Sequence, residues 1–102
     1  MTAASSERRL EVTVVGRVQG VGFRMFVLDL ARGLELRGWV ANESGGTVRI
    51  VAEGPEDSLR RLLASAREGP AGARIDHVEE AWAASSGAFD RFSIKSGWHA
   101  GD

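Results

Sequence analysis

The chain has 102 residues, of which 43% are apolar and 26% charged, with a net charge of −1 and no cysteine. That is the length of one domain, whose single core buries roughly 60–70% of the unfolded surface without disulfide staples. The absence of cysteine excludes a disulfide framework and thiolate chemistry and removes the commonest zinc ligands, and the near-neutral charge leaves no general basic footprint for nucleic acid.

The opening stretch MTAASSERR is polar and lacks the apolar stretch of a secretory signal, and no apolar run approaches the roughly 20 residues of a membrane span. The expectation is a cytoplasmic protein with a disordered tail at 1–8, a domain at 9–96 and a second tail at 97–102.

Arg9 to Gly16 is rich in β-branched residues, with Leu10, Val12 and Val14 alternating, which predicts a strand. The stretch GRVQGVGFR, Gly16 to Arg24, follows as a glycine-rich loop. From Phe23 the apolar period lengthens, and Phe23, Val27, Leu30, Ala31 and Leu34 predict a helix with one buried stripe. Leu36 to Asn42 and Thr47 to Glu53 read as two strands of an antiparallel hairpin joined through Glu43–Gly46, with Val48, Ile50 and Ala52 on one face of the second strand.

Gly54-Pro55-Glu56-Asp57 opens a second helix, with Pro55 suited to the first helical position and acids matching the macrodipole. Leu59, Leu62, Leu63 and Ala66 give this helix its apolar face, and Gly69-Pro70 ends it. Ile75 to Trp82 predicts a further strand, and Phe89 to Lys95 a last short one after a turn at Ser85-Ser86-Gly87. The order βαββαβ plus a short extra strand points to an α+β, ferredoxin-like two-layer sandwich. In that fold both helices pack on one face of an antiparallel-dominated sheet.

The glycine loop carries the chemistry. Gly16, Gly20 and Gly22 allow positive φ and a close backbone approach, so that successive N–H groups converge on an anion at the start of a helix. No Asp or Glu occurs from Val12 to Leu28 to compete with that anion, and Val18 and Val21 are placed to anchor the loop in the core. Arg24, in the first helical turn, opposes the macrodipole by about 0.3–1 kcal/mol, a conflict that a bound phosphate removes. Its guanidinium fork suits two phosphate oxygens in parallel.

Other uses of these residues remain open. A glycine-rich strand-to-helix turn also serves simply as a tight turn, and Asn42 before a turn serves as a turn-former. The loop is neither a Walker loop nor a dinucleotide fingerprint. Trp39 and Trp82 are expected in the core, and His77 and His99 on the surface. No His, Asp and Glu cluster has ligand spacing, so no metal site is expected.

GRVQGVGFR, followed by a helix and GWVAN, resembles the acylphosphatase family, and the resemblance runs on through GGTVRIVAEGP and GARIDHV to FDRFSIK, from about Arg9 to Lys95. It implies the ferredoxin-like fold and hydrolysis of the carboxyl-phosphate bond of small acyl phosphates, without cofactor, metal or covalent intermediate. Arg24 takes the place of the family's phosphate-binding arginine and Asn42 that of its water-orienting asparagine.

Gly16, Arg17, Val18, Gln19, Gly20, Val21, Gly22, Phe23 and Arg24 become the phosphate cradle, and Thr47 matches a hydroxyl position that supports the asparagine's loop. The expected partners are an acyl phosphate as substrate and inorganic phosphate or sulfate as inhibitor, with no nucleic acid or membrane, and the expected state is a monomer. A non-enzymatic anion-sensing module on the same fold is the alternative. RNA binding is disfavoured, because the strands lack paired aromatics and the chain lacks a basic excess.

The sequence departs from the family pattern at Glu35, where glycine is common, at Glu80, where an apolar strand residue is usual, and at Ala41, which replaces a frequently basic residue. Gly33 is expected to end the first helix early and spare Glu35 a positive φ. Glu80 predicts an exposed or twisted edge strand.

Overall fold

The computed structural model describes residues 7–96. Its elements in chain order are β1 (Glu7–Arg17), α1 (Phe23–Gly33), β2 (Arg37–Asn42), β3 (Val48–Pro55), α2 (Glu56–Glu68), β4 (Arg74–Ala84) and β5 (Phe92–Ile94). The sheet runs β4-β1-β3-β2-β5, antiparallel throughout except that β5 lies parallel to β2. This is the expected ferredoxin-like sandwich, with the extra strand added beside β2. Glu7 and Arg8 already pair with Pro55 and Gly54, so β1 begins inside the stretch expected as a tail, while His99 and the residues after Ser96 lie outside the described region.

The alternating residues Leu10, Val12 and Val14 of β1 and Val48, Ile50 and Ala52 of β3 form the buried face of the sheet. Leu59, Leu62, Leu63 and Ala66 of α2, with Phe23, Val27, Leu28 and Ala31 of α1, close the core over that face. Fully burying one such side chain contributes about 1.5–3 kcal/mol. The fold therefore rests on matching two periodicities, every second residue in the strands and every third or fourth in the helices.

Several expectations are corrected. Pro55 is not the first helical residue but the extended N-cap of α2, at φ −61° and ψ 142°, and it still pairs with Glu7 in the sheet. Gly33 does not end α1 early. The helix runs to Gly33, Leu34 caps it, and Glu35 itself takes the left-handed conformation at φ 59°. The Glu35 N–H donates to the Arg32 carbonyl and the Leu36 N–H to the Ala31 carbonyl, so Glu35 occupies the position where this helix-ending motif favours glycine.

Trp39 is not in the core. It is half-buried on β2 with the Lys95 ammonium 4.5 Å from its ring centre. Trp82 is half-buried against the core edge, covered by the guanidiniums of Arg8 and Arg60. The last strand is only Phe92–Ile94, because the residues just before it form a loop crossing from β4.

β4 is an edge strand, as Glu80 foretold, and the Glu80 carboxylate accepts from Arg67 of α2 at 2.8 Å. Charged residues along such an edge discourage pairing with another chain. Among the described residues no helix is long and apolar enough to cross a membrane.

Candidate active site

The glycine loop joins the end of β1 to the start of α1. At its first residue the β1–β4 register shifts, and Gly16 adopts φ 144° so close to β4 that a Cβ would sit 2.1 Å from the Arg74 carbonyl oxygen. Glycine is required there by contact. Gly22 is required by conformation instead: it caps α1 at φ 78°, with open space where a side chain would go. No side chain caps α1 and no acid stands in its first turn, so the first amides of the helix keep their partial positive charge.

Two residues pin the loop from below. Val18 and Phe23 are buried in the core, and Phe26 meets the Phe23 ring edge-on at 5.9 Å between centres. Gln19 pins it from the side. Its Nε2 donates to the carbonyl oxygens of Glu43 and Thr47, both at 2.9 Å, and so ties the glycine loop to the turn between β2 and β3. Thr47 Oγ1 donates to the Glu43 carboxylate at 3.1 Å, and the Glu43 N–H donates to the Thr47 carbonyl at 2.9 Å. The turn that follows Asn42 is thus closed on itself and bonded to the loop.

A hollow of about 310 Å³ opens between these elements, lined by Val18, Gly20, Gly22, Phe23, Arg24, Met25, Asn42 and Ile94. It brings Arg24 from α1 together with Asn42 from the end of β2, two residues far apart along the chain. Gly16, Arg17, Gln19, Val21 and Thr47 do not line it. Gly16 sets the turn against β4, Arg17 ends β1 with an exposed side chain, Val21 packs against the core, and Gln19 and Thr47 brace the turn.

Among the described residues Arg24 makes no ion pair and the Asn42 carboxamide makes no side-chain hydrogen bond, so both are available to a ligand. Among the described residues no carboxylate lines the hollow. A half-buried guanidinium with no counter-charge among the described residues, next to uncapped helix amides, creates a positive potential that favours an oxyanion. Among the described residues no three metal-ligating side chains cluster.

Two lining residues had no place in the sequence expectations. Ile94 reaches the hollow through the parallel pairing of β5 with β2, opposite Val40, which no local signal announces. Met25 had a signal: it is an apolar residue lying off the buried stripe of its helix. Asn42 also lines a second groove of about 540 Å³, with Trp39, Ala41, Glu43, Ser44, Lys95 and Ser96.

The acylphosphatase family model matches residues 10–94. An acylphosphatase of Salinibacter ruber is 46% identical over 90 residues, covering 88% of this chain and 95% of that one. The crystal structure of acylphosphatase from Bacillus subtilis superposes with a TM-score of 0.83 at 38% identity, covering 86% of this chain and 98% of that one.

The structure of full-length HypF in its phosphate- and nucleotide-bound form superposes at 0.82 and 28% identity, covering 89% of this chain but only 12% of that one. The fold thus occurs both alone and as a small part of a larger protein. Matched across most of its own length and nearly all of its free-standing relatives, the chain belongs to the acylphosphatase family.

Proposed function

We propose that the hollow between the glycine loop and β2 is where this enzyme hydrolyses small acyl phosphates, with Arg24 and the loop amides holding the phosphoryl group and Asn42 placing the water. The observation that carries this reading is that Arg24, without a carboxylate partner among the described residues, shares one cavity with Gly20, Gly22 and Asn42.

An acyl phosphate is a mixed anhydride whose leaving carboxylate is stable, so the site needs little beyond position and charge stabilisation. The phosphoryl oxygens accept hydrogen bonds from the loop N–H groups and from the Arg24 fork, whose attraction grows as negative charge spreads over them in the transition state. The Asn42 carboxamide oxygen accepts a hydrogen bond from a water and so aims the water's lone pair at phosphorus. As the water oxygen bonds to phosphorus, the bond from phosphorus to the carboxyl oxygen breaks and its electron pair leaves with the carboxylate. The water's proton passes to a phosphoryl oxygen, since among the described residues neither a carboxylate nor an imidazole lines the hollow.

Gln19 and Thr47 act here as positioning residues. By tying the Asn42 turn to the glycine loop, they keep the water site and the phosphoryl site in one frame. Inorganic phosphate or sulfate, which fits the same donors, competes with substrate. The enzyme is read as a monomer of the cytoplasm that needs no metal; light scattering, cell fractionation and turnover in a chelator test these three points.

The main test follows benzoyl phosphate hydrolysis. Arg24→Ala and Arg24→Lys lose phosphate inhibition and most turnover, while Asn42→Ala loses turnover but keeps phosphate inhibition. Each loss is about 3–4 kcal/mol in the barrier, the typical effect of removing one transition-state stabiliser. Full hydrolysis by Arg24→Ala overturns the site assignment. Tight phosphate binding by the unaltered protein without any turnover supports an anion sensor instead.

A further inference from the structure

We infer that Met25 is the residue that contacts the acyl group and selects for apolar, above all aromatic, acyl phosphates. The inference rests on the hydrolytic reading of the hollow and adds to it the half of the substrate that the phosphoryl cradle leaves unaddressed.

Met25 is 52% exposed, and among the described residues it alone of the large hydrophobic side chains is exposed. It stands on the solvent side of α1, where Asp29 and Arg32 are also exposed, rather than on the buried stripe of Phe23, Val27 and Ala31. It immediately follows Arg24 and lines the same hollow. The other α1 residue lining the hollow with an apolar side chain, Phe23, is buried and has little surface to offer a ligand. Met25 therefore supplies free apolar surface beside the guanidinium that holds phosphate. An unbranched thioether adapts its shape to different acyl groups and makes favourable contacts with aromatic rings.

The direction of attack leads to the same wall. In-line displacement puts the acyl group on the side of phosphorus opposite the water. Asn42, which holds the water, also lines the groove that carries Trp39 and Lys95, so that groove opens on the water's side. The acyl group then lies away from Asn42, toward the rest of the lining, whose one exposed apolar side chain is Met25.

The experiment compares the unaltered protein with Met25→Ala, Met25→Gln and Met25→Leu, measuring kcat/KM on benzoyl phosphate and on acetyl phosphate, together with inhibition by inorganic phosphate. The ratio of benzoyl to acetyl phosphate turnover is expected to fall about fivefold in the alanine and glutamine variants, the size that losing roughly one methylene of apolar contact supports. Leucine restores most of it, and inhibition by phosphate stays unchanged in all three.

An unchanged ratio in Met25→Ala overturns the inference while leaving the hydrolytic site intact. Equal losses on both substrates together with weaker phosphate inhibition also overturn it, because Met25 would then act by supporting the loop. An unaltered protein that hydrolyses neither substrate overturns the hydrolytic reading itself, and this inference with it.

Discussion

Replacing Glu53 by glutamine should destabilise the fold by on the order of 3 kcal/mol at neutral pH and remove much of its sensitivity to acid. Glu53 is 1% exposed, on the face of β3 away from the helices. Its carboxylate accepts from Ser85 Oγ and Gly87 N–H at 3.0 Å each, from Ser86 N–H at 2.9 Å and from Ser86 Oγ at 2.7 Å, with an Arg9 guanidinium nitrogen at 3.3 Å. Burial pushes this carboxyl's pKa up, but the bonds from Ser86, Gly87 and Ser85 outweigh it and bring the value from 4.5 to about 2.

Each pKa unit is worth about 1.36 kcal/mol, and a shift of that size gives the figure above. Because the folded pKa lies below the unfolded one, the contribution is complete above pH 4.5 and is lost as pH falls from there toward 2. Glutamine presents an NH₂ group to a ring of donors and leaves at least one of them unsatisfied.

Urea denaturation from pH 7 down to 2.5 measures the effect, and hydrogen exchange at the Ser86 and Gly87 amides reports the clamp directly. The unaltered protein should lose stability steeply below pH 4.5 and the variant much less, although Glu11, whose pKa is lowered mainly by its bond from Arg49, retains part of the slope. Equal stability of the two proteins at pH 7, or parallel acid limbs, refutes the reasoning.

Glu35→Gly should stabilise the protein by about 1 kcal/mol, because Glu35 sits at φ 59° at the end of α1; a thermal melt checks it, and an unchanged Tm counts against the strain. Gly16→Ala and Gly20→Ala separate contact from conformation. The first puts a Cβ 2.1 Å from the Arg74 carbonyl and should cost more than about 2 kcal/mol, while the second, with open space around it at φ 77°, should cost about 1 kcal/mol in urea unfolding. Gln19→Ala removes both bonds between the glycine loop and the Asn42 turn, each worth about 1 kcal/mol. It should lower kcat on benzoyl phosphate about tenfold with little change in phosphate inhibition, as expected when two groups lose a shared frame.

What the sequence made legible was local. The buried faces of β1, β3 and α2 followed from periods of two and of three to four, and each matched residue by residue. The misses share a cause. Trp39 has the bulk of a core residue, yet its position on β2 points it away from the helices, and an aromatic side chain alone does not say which face of a strand it occupies. Glycine propensity points to Gly33 rather than Glu35 for a positive φ, but propensity yields to packing: ending the helix at Gly33 allows Leu36 to be buried and bonded back to Ala31.

Glu53 gave no signal, since a carboxylate on the outer face of a strand normally meets water. It is buried here because Ser85–Gly87 cross over it, and that contact spans more than thirty residues of chain.

The same distinction explains the site. The glycine loop, its positive φ angles and the missing acids are local facts, and they alone left a tight turn and an anion cradle equally open. The proposed reading as an anion cradle draws on three features that no window of sequence contains: Gln19 reaching the β2–β3 turn, Asn42 and Arg24 lining one hollow, and β5 pairing in parallel with β2 to bring in Ile94. The segment that Glu53 clamps, Ser85–Gly87, leads through the short stretch Ala88–Arg91 into β5, so the chain links the clamp on the outer face to the strand that brings Ile94 to the hollow. A loosened clamp should therefore be felt in catalysis before the core unfolds: Glu53→Gln, assayed at pH 7 well below its melting temperature, should weaken the benzoyl over acetyl preference by shifting Ile94, which shares the hollow with Met25, while leaving phosphate inhibition intact. If the preference survives as Ser86 and Gly87 exchange freely, the hollow does not depend on that segment for its shape.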